Sequence, residues 1–254
     1  MKDCSLVGYT GFVGKSLLET KFLNFTKFFN SQNIDEISKY AHELIVCAAP
    51  SAEKWRVNKE PKVDYLSIEK LVGCLDSVKN KEDIEFFLFS TIDVYGDENN
   101  CVDEFEVPER TDNHYGYHRL LLENYVSLSF PRAHIIRLPG LFGKNLKKNI
   151  IFDLLNDNLN CEVKLWDQYQ WFPIDRIPEI MKFAREYEIK LLNLATHPIS
   201  NAELLQLFDK HVLFSNSGFN KYDIRSIFFE NGYYLQKQEV LSELRKFIHG
   251  YGNI

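Results

Sequence analysis

At 254 residues, the chain is long enough to bury a substantial core, as one large domain or as a domain with a smaller second part. Its 45% hydrophobic and 26% charged content exclude a disordered protein. The formal net charge of −6 excludes the extended basic surface that nucleic acids require, so we expect no nucleic-acid partner.

Several patterns that the sequence lacks bear on the redox state of the thiols, on metal binding and on membranes. The cysteines at positions 4, 47, 74, 101 and 161 form no CxxC pair, which is typical of reduced thiols, and the histidines show no metal-ligand spacing. The stretch MKDCSLVGYTG lacks the apolar core of a signal peptide, and no run reaches the roughly 18 apolar residues of a membrane span. We therefore expect a cytoplasmic protein with no metal and no membrane partner.

Apolar runs suited to strands recur through the first half of the chain, at 5–7, 26–29, 44–48, 86–89 and 134–138. Each is separated from the next by a segment long enough for a helix, and one of these segments carries an apolar stripe of Leu66, Leu71, Leu75 and Val78. This alternation is the pattern of repeated βαβ units. It predicts an α/β fold with a doubly wound parallel sheet.

The pattern changes after Gly143. Helical segments are predicted at 150–159, 178–187 and 201–212, and Ser200 with Glu203 forms a capping box before the last of them. The chain ends in an amphipathic run at 240–248. We therefore predict a first domain over 1–144 and a smaller, mainly helical part over 145–254, interleaved with the first.

Gly8, Gly11 and Gly14 directly follow the first predicted strand and open the first predicted helix. Glycine there lets the chain turn tightly, lets a pyrophosphate approach the backbone and lets the helix pack close to the strand. The helix N-terminus adds unpaired N–H donors for an anion. The stretch LVGYTGFVG therefore indicates a dinucleotide-binding turn, and the alternative is a simple strand-to-helix turn.

Further stretches follow in order: ELIVCAAP at 43–50, FFLFSTIDVYG at 86–96, YGYHRLLLE at 115–123, IIRLPGLFG at 135–143 and WFPIDRIPEIM at 171–181. With the GxxGxxG turn, this ordered set resembles the extended short-chain dehydrogenases/reductases, the NAD-dependent epimerase/dehydratase-like proteins. The resemblance spans most of the chain. It implies a Rossmann-like fold in which 1–144 binds a dinucleotide and 145–254 binds substrate.

The resemblance also implies a catalytic tyrosine at Tyr115, which exchanges a proton with the substrate oxygen, and a hydroxyl at Thr91 that donates a hydrogen bond to the same oxygen. In the family, a lysine one turn after the tyrosine binds the nicotinamide ribose and lowers the pKa of the tyrosine. Arg119 stands in that place. Arginine retains the charge, but its planar fork does not reproduce the point contact of an ammonium group. We predict a catalytic pair with an altered partner.

The same resemblance places the dinucleotide against the glycine turn, the ends of the second and third strands, and the catalytic helix. The predicted cofactor-binding residues are Gly8, Tyr9, Thr10, Gly11, Phe12, Val13, Gly14, Asn30, Ser31, Ala48, Ala49, Pro50, Thr91, Tyr115, Arg119 and Pro139. Asn30 and Ser31 occupy the place where NAD-specific proteins carry an acid. NAD and NADP therefore both remain candidate cofactors, with a slight lean to NADP.

The stretch STIDVYG separates the possible reactions. Sugar-nucleotide 4,6-dehydratases carry Thr-Asp-Glu there, with two carboxyl groups as acid and base, whereas Ile92 follows Thr91 in this chain. Because Ile92 cannot donate a proton, we expect an NAD(P)-dependent oxidoreductase or epimerase acting on a nucleotide sugar or a related carbonyl compound. Asp93 is predicted to be a solvated carboxylate. The alternative function is a catalytically impaired dinucleotide-binding sensor or scaffold protein.

The helix that carries Tyr115 is apolar on more than one face, with Leu120, Leu121 and Leu122 beside Tyr117. One face is expected to cover the sheet. The other forms a homodimer interface or lies under the protein's own loops, and both outcomes stay open. His118 is predicted on the solvent or interface side of this helix.

Overall fold

The structure, a computed structural model, describes residues 3–96, 100–109, 113–159, 162–217 and 219–251. Contacts divide the chain into two compact units. The first comprises Met1–Glu98, Val107–Leu138 and Ile177–Leu192, and the second comprises Asn99–Glu106, Pro139–Arg176 and Asn193–Ile254.

The first unit is built on a six-stranded sheet. Its strands are β1 (Cys4–Val7), β2 (Lys27–Phe29), β3 (Leu44–Cys47), β4 (Glu85–Thr91), β5 (Arg132–Leu138) and β6 (Leu191–Asn193). They lie in the order β2-β1-β3-β4-β5-β6, and the pairings from β2 through β5 are all parallel. The five strands predicted from the sequence are confirmed.

The direction of winding reverses at β1, because β2 lies on one side of it and β3 to β6 lie on the other. Open parallel sheets bind ligands in the crevice at the carboxyl ends of the strands that flank such a switch point. Val7 of β1 is in register with Phe29 of β2 and with Cys47 of β3. The loops that follow these three strands therefore meet at one edge of the sheet.

Helices flank the sheet on both faces. They are α1 (Phe12–Thr20), α2 (Lys54–Lys59), α3 (Pro61–Asp76), α4 (His114–Ser129) and α5 (Ile177–Glu186). α3 packs against α4, and α1 packs against α5. Every residue of β4 is buried, as expected for a strand covered on both sides. The predicted doubly wound sheet is confirmed.

The core between the sheet and the α3–α4 pair contains Phe86, Leu75 and Val126, none of which is exposed to solvent. The predicted stripe on α3 is correct for Leu75 but wrong for Leu66, which is 52% exposed. Ile68 is buried instead, because positions three and four apart share one helix face and Ile68 precedes the buried Leu71 by three residues.

The second unit contains three α-helices among its described residues, Ile150–Leu155, Asn201–Leu205 and Lys237–Gly250. The capping box of Ser200 and Glu203 is confirmed at the start of the second of these helices. Short strands pair Gly140–Phe142 with Trp171–Pro173, Val163–Lys164 with Phe214–Ser215, Gln168–Tyr169 with Ile199–Ser200, and Asn100–Val102 with Asp223–Ile224. The unit thus has more strand pairing than the mainly helical part that was predicted. No helix in the described part of the chain is long and apolar enough to cross a membrane.

Each unit is formed of three chain segments, so the two units are interleaved along the chain. The helix predicted at 178–187 is α5, which belongs to the first unit. It leads into β6, and the N–H of Ile135 donates to the carbonyl of Lys190 at 2.9 Å. This return to the first unit pairs the edge of β5, which would otherwise lack a hydrogen-bonding partner.

The burial difference between leucines on the two helices of this core predicts a difference in stability. We expect Leu75→Ala to lower the free energy of unfolding by about 2–5 kcal/mol, because it opens a cavity under α3. Leu128→Ala removes the same atoms from a side chain that is 86% exposed on α4, and should cost less than about 0.5 kcal/mol. Urea denaturation of both variants checks this, and equal losses would contradict the placement of Leu75.

Candidate active site

The glycine turn after β1 lies in close contact with the end of β3. Gly8 has a φ of +84°, and a Cβ added there would stand 2.7 Å from the carbonyl carbon of Ala48. A Cβ on Gly14 would stand 2.3 Å from the carbonyl oxygen of Gly8. Glycine is required at both positions, so α1 begins directly against the turn. Gly11 is the N-cap of α1 and supplies no side-chain cap, which leaves first-turn N–H donors for an anion.

Asn30 and Tyr9 connect the glycine turn to the end of β2. The Asn30 amide donates to the Tyr9 hydroxyl at 3.2 Å, and the Tyr9 ring meets Phe28 edge-on at 5.8 Å between centroids. The next residue, Ser31, accepts a hydrogen bond at its carbonyl from the Lys70 ammonium of α3, at 3.2 Å. A cation therefore lies at the end of β2, which the sequence prediction did not include.

Thr91 ends β4 and begins a short 3-10 helix, Ile92–Tyr95. Helix α4 starts directly on this turn, because a Cβ on Gly116 would stand 1.9 Å from the carbonyl oxygen of Asp93. The Asn113 side chain caps the helix by accepting from the Gly116 N–H at 3.3 Å. This packing brings Tyr115, adjacent to Gly116, beside the turn that carries Thr91.

Tyr115 is buried, and its burial raises the pKa of the phenol. The Arg119 guanidinium lies 4.5 Å from the ring centroid and opposes that rise, as does Lys54, whereas the carboxylates of Asp93 and Asp64 reinforce it. The pKa of Tyr115 is raised overall, opposite to the direction expected from the sequence. The physical reason is that burial disfavours the phenolate and that each nearby cation has an acidic partner.

The Arg119 guanidinium forms hydrogen bonds with other residues of the protein. It donates two hydrogen bonds to the Asp64 carboxylate, at 2.8 and 3.1 Å, and a third to the carbonyl of Ser51 at 2.5 Å. The side chain is only 3% exposed. Arg119 therefore connects α4 to α3 and to the segment that follows β3. Whether it also contacts a dinucleotide remains a prediction.

His118 lies on the same buried side of α4. Its Nδ1 is 2.8 Å from Asp64 Oδ2, and the residue is 4% exposed. The predicted solvent or interface position of His118 is therefore wrong. Asp64 from α3 draws both His118 and Arg119 inward, and Asp64 itself could have been recognised as a site residue, since it lies on the buried helical stripe with Ile68 and Leu71.

Asp93 is not the solvated carboxylate that was predicted. Its side chain is 18% exposed, and Oδ1 forms an ion pair of 2.7 Å with the Lys54 ammonium of α2. Its Oδ2 accepts a hydrogen bond of 3.0 Å from the Thr91 hydroxyl, whose oxygen accepts one of 3.2 Å from the Asp93 N–H. Lys54, Asp93 and Thr91 thus form a continuous polar chain beside Tyr115.

The first unit therefore contains the glycine turn, Asn30, Ser31, Ala48–Pro50, Thr91, Tyr115 and Arg119. Pro139 belongs to the second unit. Among the residues that the structure describes, no group of three His, Cys, Asp or Glu side chains could hold a metal ion. Cys4, Cys47, Cys74 and Cys101 are free thiols, and Cys161 lies outside the described residues.

The buried fork of Arg119 yields a testable prediction. Arg119→Lys should lower the free energy of unfolding by about 1–3 kcal/mol, because an ammonium group cannot satisfy both Asp64 oxygens and the Ser51 carbonyl together. Arg56→Lys, at an exposed ion pair, should change it by less than about 0.5 kcal/mol. Chemical denaturation distinguishes the two variants, and an unchanged stability of Arg119→Lys would refute the structural role.

Solved structures with the same architecture cover nearly the whole chain. A dTDP-4-dehydrorhamnose reductase from Clostridium acetobutylicum matches with 15% identity and a TM-score of 0.78, over 98% of this chain and 99% of that one. A dTDP-4-dehydrorhamnose reductase from Bacillus anthracis, in complex with NADP, matches with 18% identity and a TM-score of 0.73, over 98% and 99%. A UDP-N-acetylglucosamine 4-epimerase from Methanobrevibacter ruminantium, in complex with UDP-N-acetylmuramic acid, matches with 13% identity and a TM-score of 0.75, over 99% and 98%.

The sequence itself matches no protein-family model and no curated protein. The likeness is therefore one of structure, and at these sequence identities it shows the fold alone. The chain shares its α/β fold with these reductase and epimerase structures.

Proposed function

We propose that the protein is an NAD(P)-dependent reductase of the short-chain dehydrogenase type, acting on a nucleotide sugar or a related carbonyl compound. One observation carries the proposal: the packing of Gly116 on the Asp93 carbonyl brings Tyr115 beside the Thr91 turn at the carboxyl end of β4. The glycine turn lies at the same edge of the sheet. Acid, hydroxyl and dinucleotide cradle are thus grouped as a carbonyl reduction requires.

The residues at the switch point fit a dinucleotide. Gly8 and Gly14 leave no room for a side chain, so backbone alone lines the turn. The uncapped start of α1 offers N–H donors to a pyrophosphate. The backbone of Ala48 and Ala49, which follow β3, lies against that turn. Bound there, NAD(P)H would supply the hydride.

The state of Tyr115 supports reduction in preference to a reaction that begins with oxidation. A raised pKa keeps the phenol protonated at neutral pH, as a proton donor to a carbonyl oxygen must be. A 4-epimerase must first remove a proton from a hydroxyl, which requires the phenolate. Ile92 beside Thr91 offers no acid for a dehydration. The reductase is therefore the favoured member of the predicted set.

The substrate class rests on the structural neighbours. They are a dTDP-4-dehydrorhamnose reductase and a UDP-N-acetylglucosamine 4-epimerase among others, and they cover this chain from end to end. A nucleotide sugar fits the names of both neighbours, and a keto group on it fits a Tyr115 proton donor.

The rival function is a dinucleotide-binding sensor or scaffold without turnover. The hydrogen bonds of Arg119 to Asp64 and Ser51 favour this function, because the charge that the family places beside the tyrosine is neutralised here.

A homodimer and a cytoplasmic location stay predictions. Val63 and Leu66 on α3 are 58% and 52% exposed, which adds apolar surface on the helix that packs against α4.

The proposed reduction is tested at Tyr115. Tyr115→Phe should lower turnover of a keto-sugar nucleotide by about 10²- to 10⁴-fold, because the phenol that protonates the carbonyl oxygen is lost. Tyr117→Phe, two residues along the same helix, serves as the control. Stopped-flow absorbance of NADPH oxidation gives the rates, and wild-type protein that binds dinucleotide but reduces no keto-sugar nucleotide would favour the scaffold.

The preference between the two dinucleotides is tested at Lys70. We infer a preference for NADP, because the exposed Lys70 ammonium lies at the end of β2, where the adenosine 2′-phosphate is expected, and no acid follows the strand there. Lys70→Gln should weaken NADPH binding about tenfold, roughly 1.4 kcal/mol, and leave NADH binding unchanged.

Calorimetric titration with both dinucleotides measures the two affinities. Lys62→Gln, an exposed lysine on the same helix, is the control for net charge. If NADH binds the wild-type protein as tightly as NADPH does, or if Lys70→Gln weakens both equally, the inferred preference is wrong.

A further inference from the structure

Two cations act on Tyr115, and they differ in their exposure to solvent. Arg119 is buried and holds both oxygens of Asp64 together with the Ser51 carbonyl. The Lys54 side chain is 36% exposed, and its ammonium pairs with one oxygen of Asp93 at 2.7 Å. An ammonium group carries three donors on a flexible stem, whereas the arginine fork is held in one plane. Lys54 is therefore the more exposed of the two cations.

The partner of Lys54 controls the hydroxyl of Thr91. Asp93 Oδ2 accepts the Thr91 proton at 3.0 Å, while Oδ1 faces Lys54. An ionised carboxylate has no proton to give, so the hydroxyl must be the donor in this contact. The single proton of the Thr91 hydroxyl is thus directed to Asp93 in this structure and not to a substrate oxygen, and the charge of Asp93 is balanced by Lys54.

Resting on the proposed reductase function, we propose that Lys54 is a positioning residue of the active site: its ion pair with Asp93 orients the Thr91 hydroxyl and balances the negative charge beside Tyr115. Lys54 thereby supplies, from α2, a second cation beside Tyr115 in addition to Arg119. The sequence gives little sign of this role, because Lys54 and Asp93 are 39 residues apart.

Four charged groups surround the Tyr115 phenol, from each element packed around it. Arg119 lies on its own helix, Asp64 comes from α3, Asp93 from the turn after β4, and Lys54 from α2. Arg119 and Lys54 lower the pKa of the phenol, whereas the two aspartates raise it. Removing Lys54 takes away a cation and also leaves Asp93 without its partner, so both effects act in the same direction.

The test measures the ionisation of Tyr115 in the full chain without dinucleotide. Tyrosine is replaced throughout by a fluorinated tyrosine, whose phenol ionises at lower pH, and the Tyr115 signal is assigned in the fluorine NMR spectrum from its loss in Tyr115→Phe. Lys54→Met should move the titration midpoint of Tyr115 upward. Asp93→Asn should move it downward, and Lys54→Arg should restore a midpoint near that of the unmodified site.

Lys59→Met, at an exposed lysine on the same short helix, is the matched control and should leave the midpoint in place. A folded Lys54→Met protein whose Tyr115 midpoint equals that of Lys59→Met would overturn the proposal. A downward shift in Lys54→Met would also overturn the proposal, because the loss of a nearby cation should raise the pKa of the phenol. A structural role alone gives no reason for opposite shifts in Lys54→Met and Asp93→Asn.

Kinetics separate this proposal from the proposed function. If the protein reduces a keto-sugar nucleotide, Lys54→Met should lower kcat about tenfold with little change in KM, and should shift the pH profile of kcat in the direction seen by NMR. If the wild-type protein shows no turnover, the reductase proposal fails. The NMR shifts then still decide whether Lys54 sets the charge around Tyr115.

Discussion

The contact of Gly116 with the Asp93 carbonyl is the constraint on which the site depends. No side chain fits at position 116, so α4 begins against the turn that ends β4. That approach brings Tyr115, at the first turn of a helix, beside Thr91, at the last residue of a strand. Both are held by rigid elements and not by long loops, which is how a site keeps its geometry within a fraction of an ångström.

Charges buried around α4 are paired in a consistent way. Arg119 meets Asp64 from α3, and Arg137 of β5 meets Glu123 of α4 at 2.7 Å. Each pair joins two elements that pack together, and each guanidinium uses its fork on a carboxylate. Removing one member of such a pair leaves an uncompensated buried charge, which costs far more than the pair contributes. The polar contacts therefore restrict how the helices can be arranged on the sheet.

The sequence predicts those parts of the molecule that local patterns determine. The strands, the glycine turn, the position of Tyr115 on a helix and the capping box at Ser200 all follow from residues within one or two turns of each other. The packing of Tyr115 beside the Thr91 turn required the resemblance to a family as well. The sheet order supplied the common edge on which the loops meet.

The remaining features depend on partners that are distant in the chain. Asp64 and Arg119 are 55 residues apart, and Lys70 lies 39 residues from Ser31. No periodicity connects such pairs, so the commitment of Arg119 and the raised pKa of Tyr115 could not be foreseen. Asp64 alone left a local sign, an acidic residue on the buried stripe of α3. The exposed position of Leu66 was missed because Leu66 lies off the buried face of α3, which runs through Asp64, Ile68, Leu71 and Leu75.

The hydrogen bond from Arg119 to Ser51 limits the position of the Lys54 backbone. Ser51 precedes Lys54 by three residues, and three residues of extended chain span at most about 11 Å. By anchoring Ser51 to α4, the guanidinium sets a radius within which the Lys54 backbone must stay. Arg119 thus holds one end of a short segment, and this contact limits the volume that the Lys54 ammonium can reach.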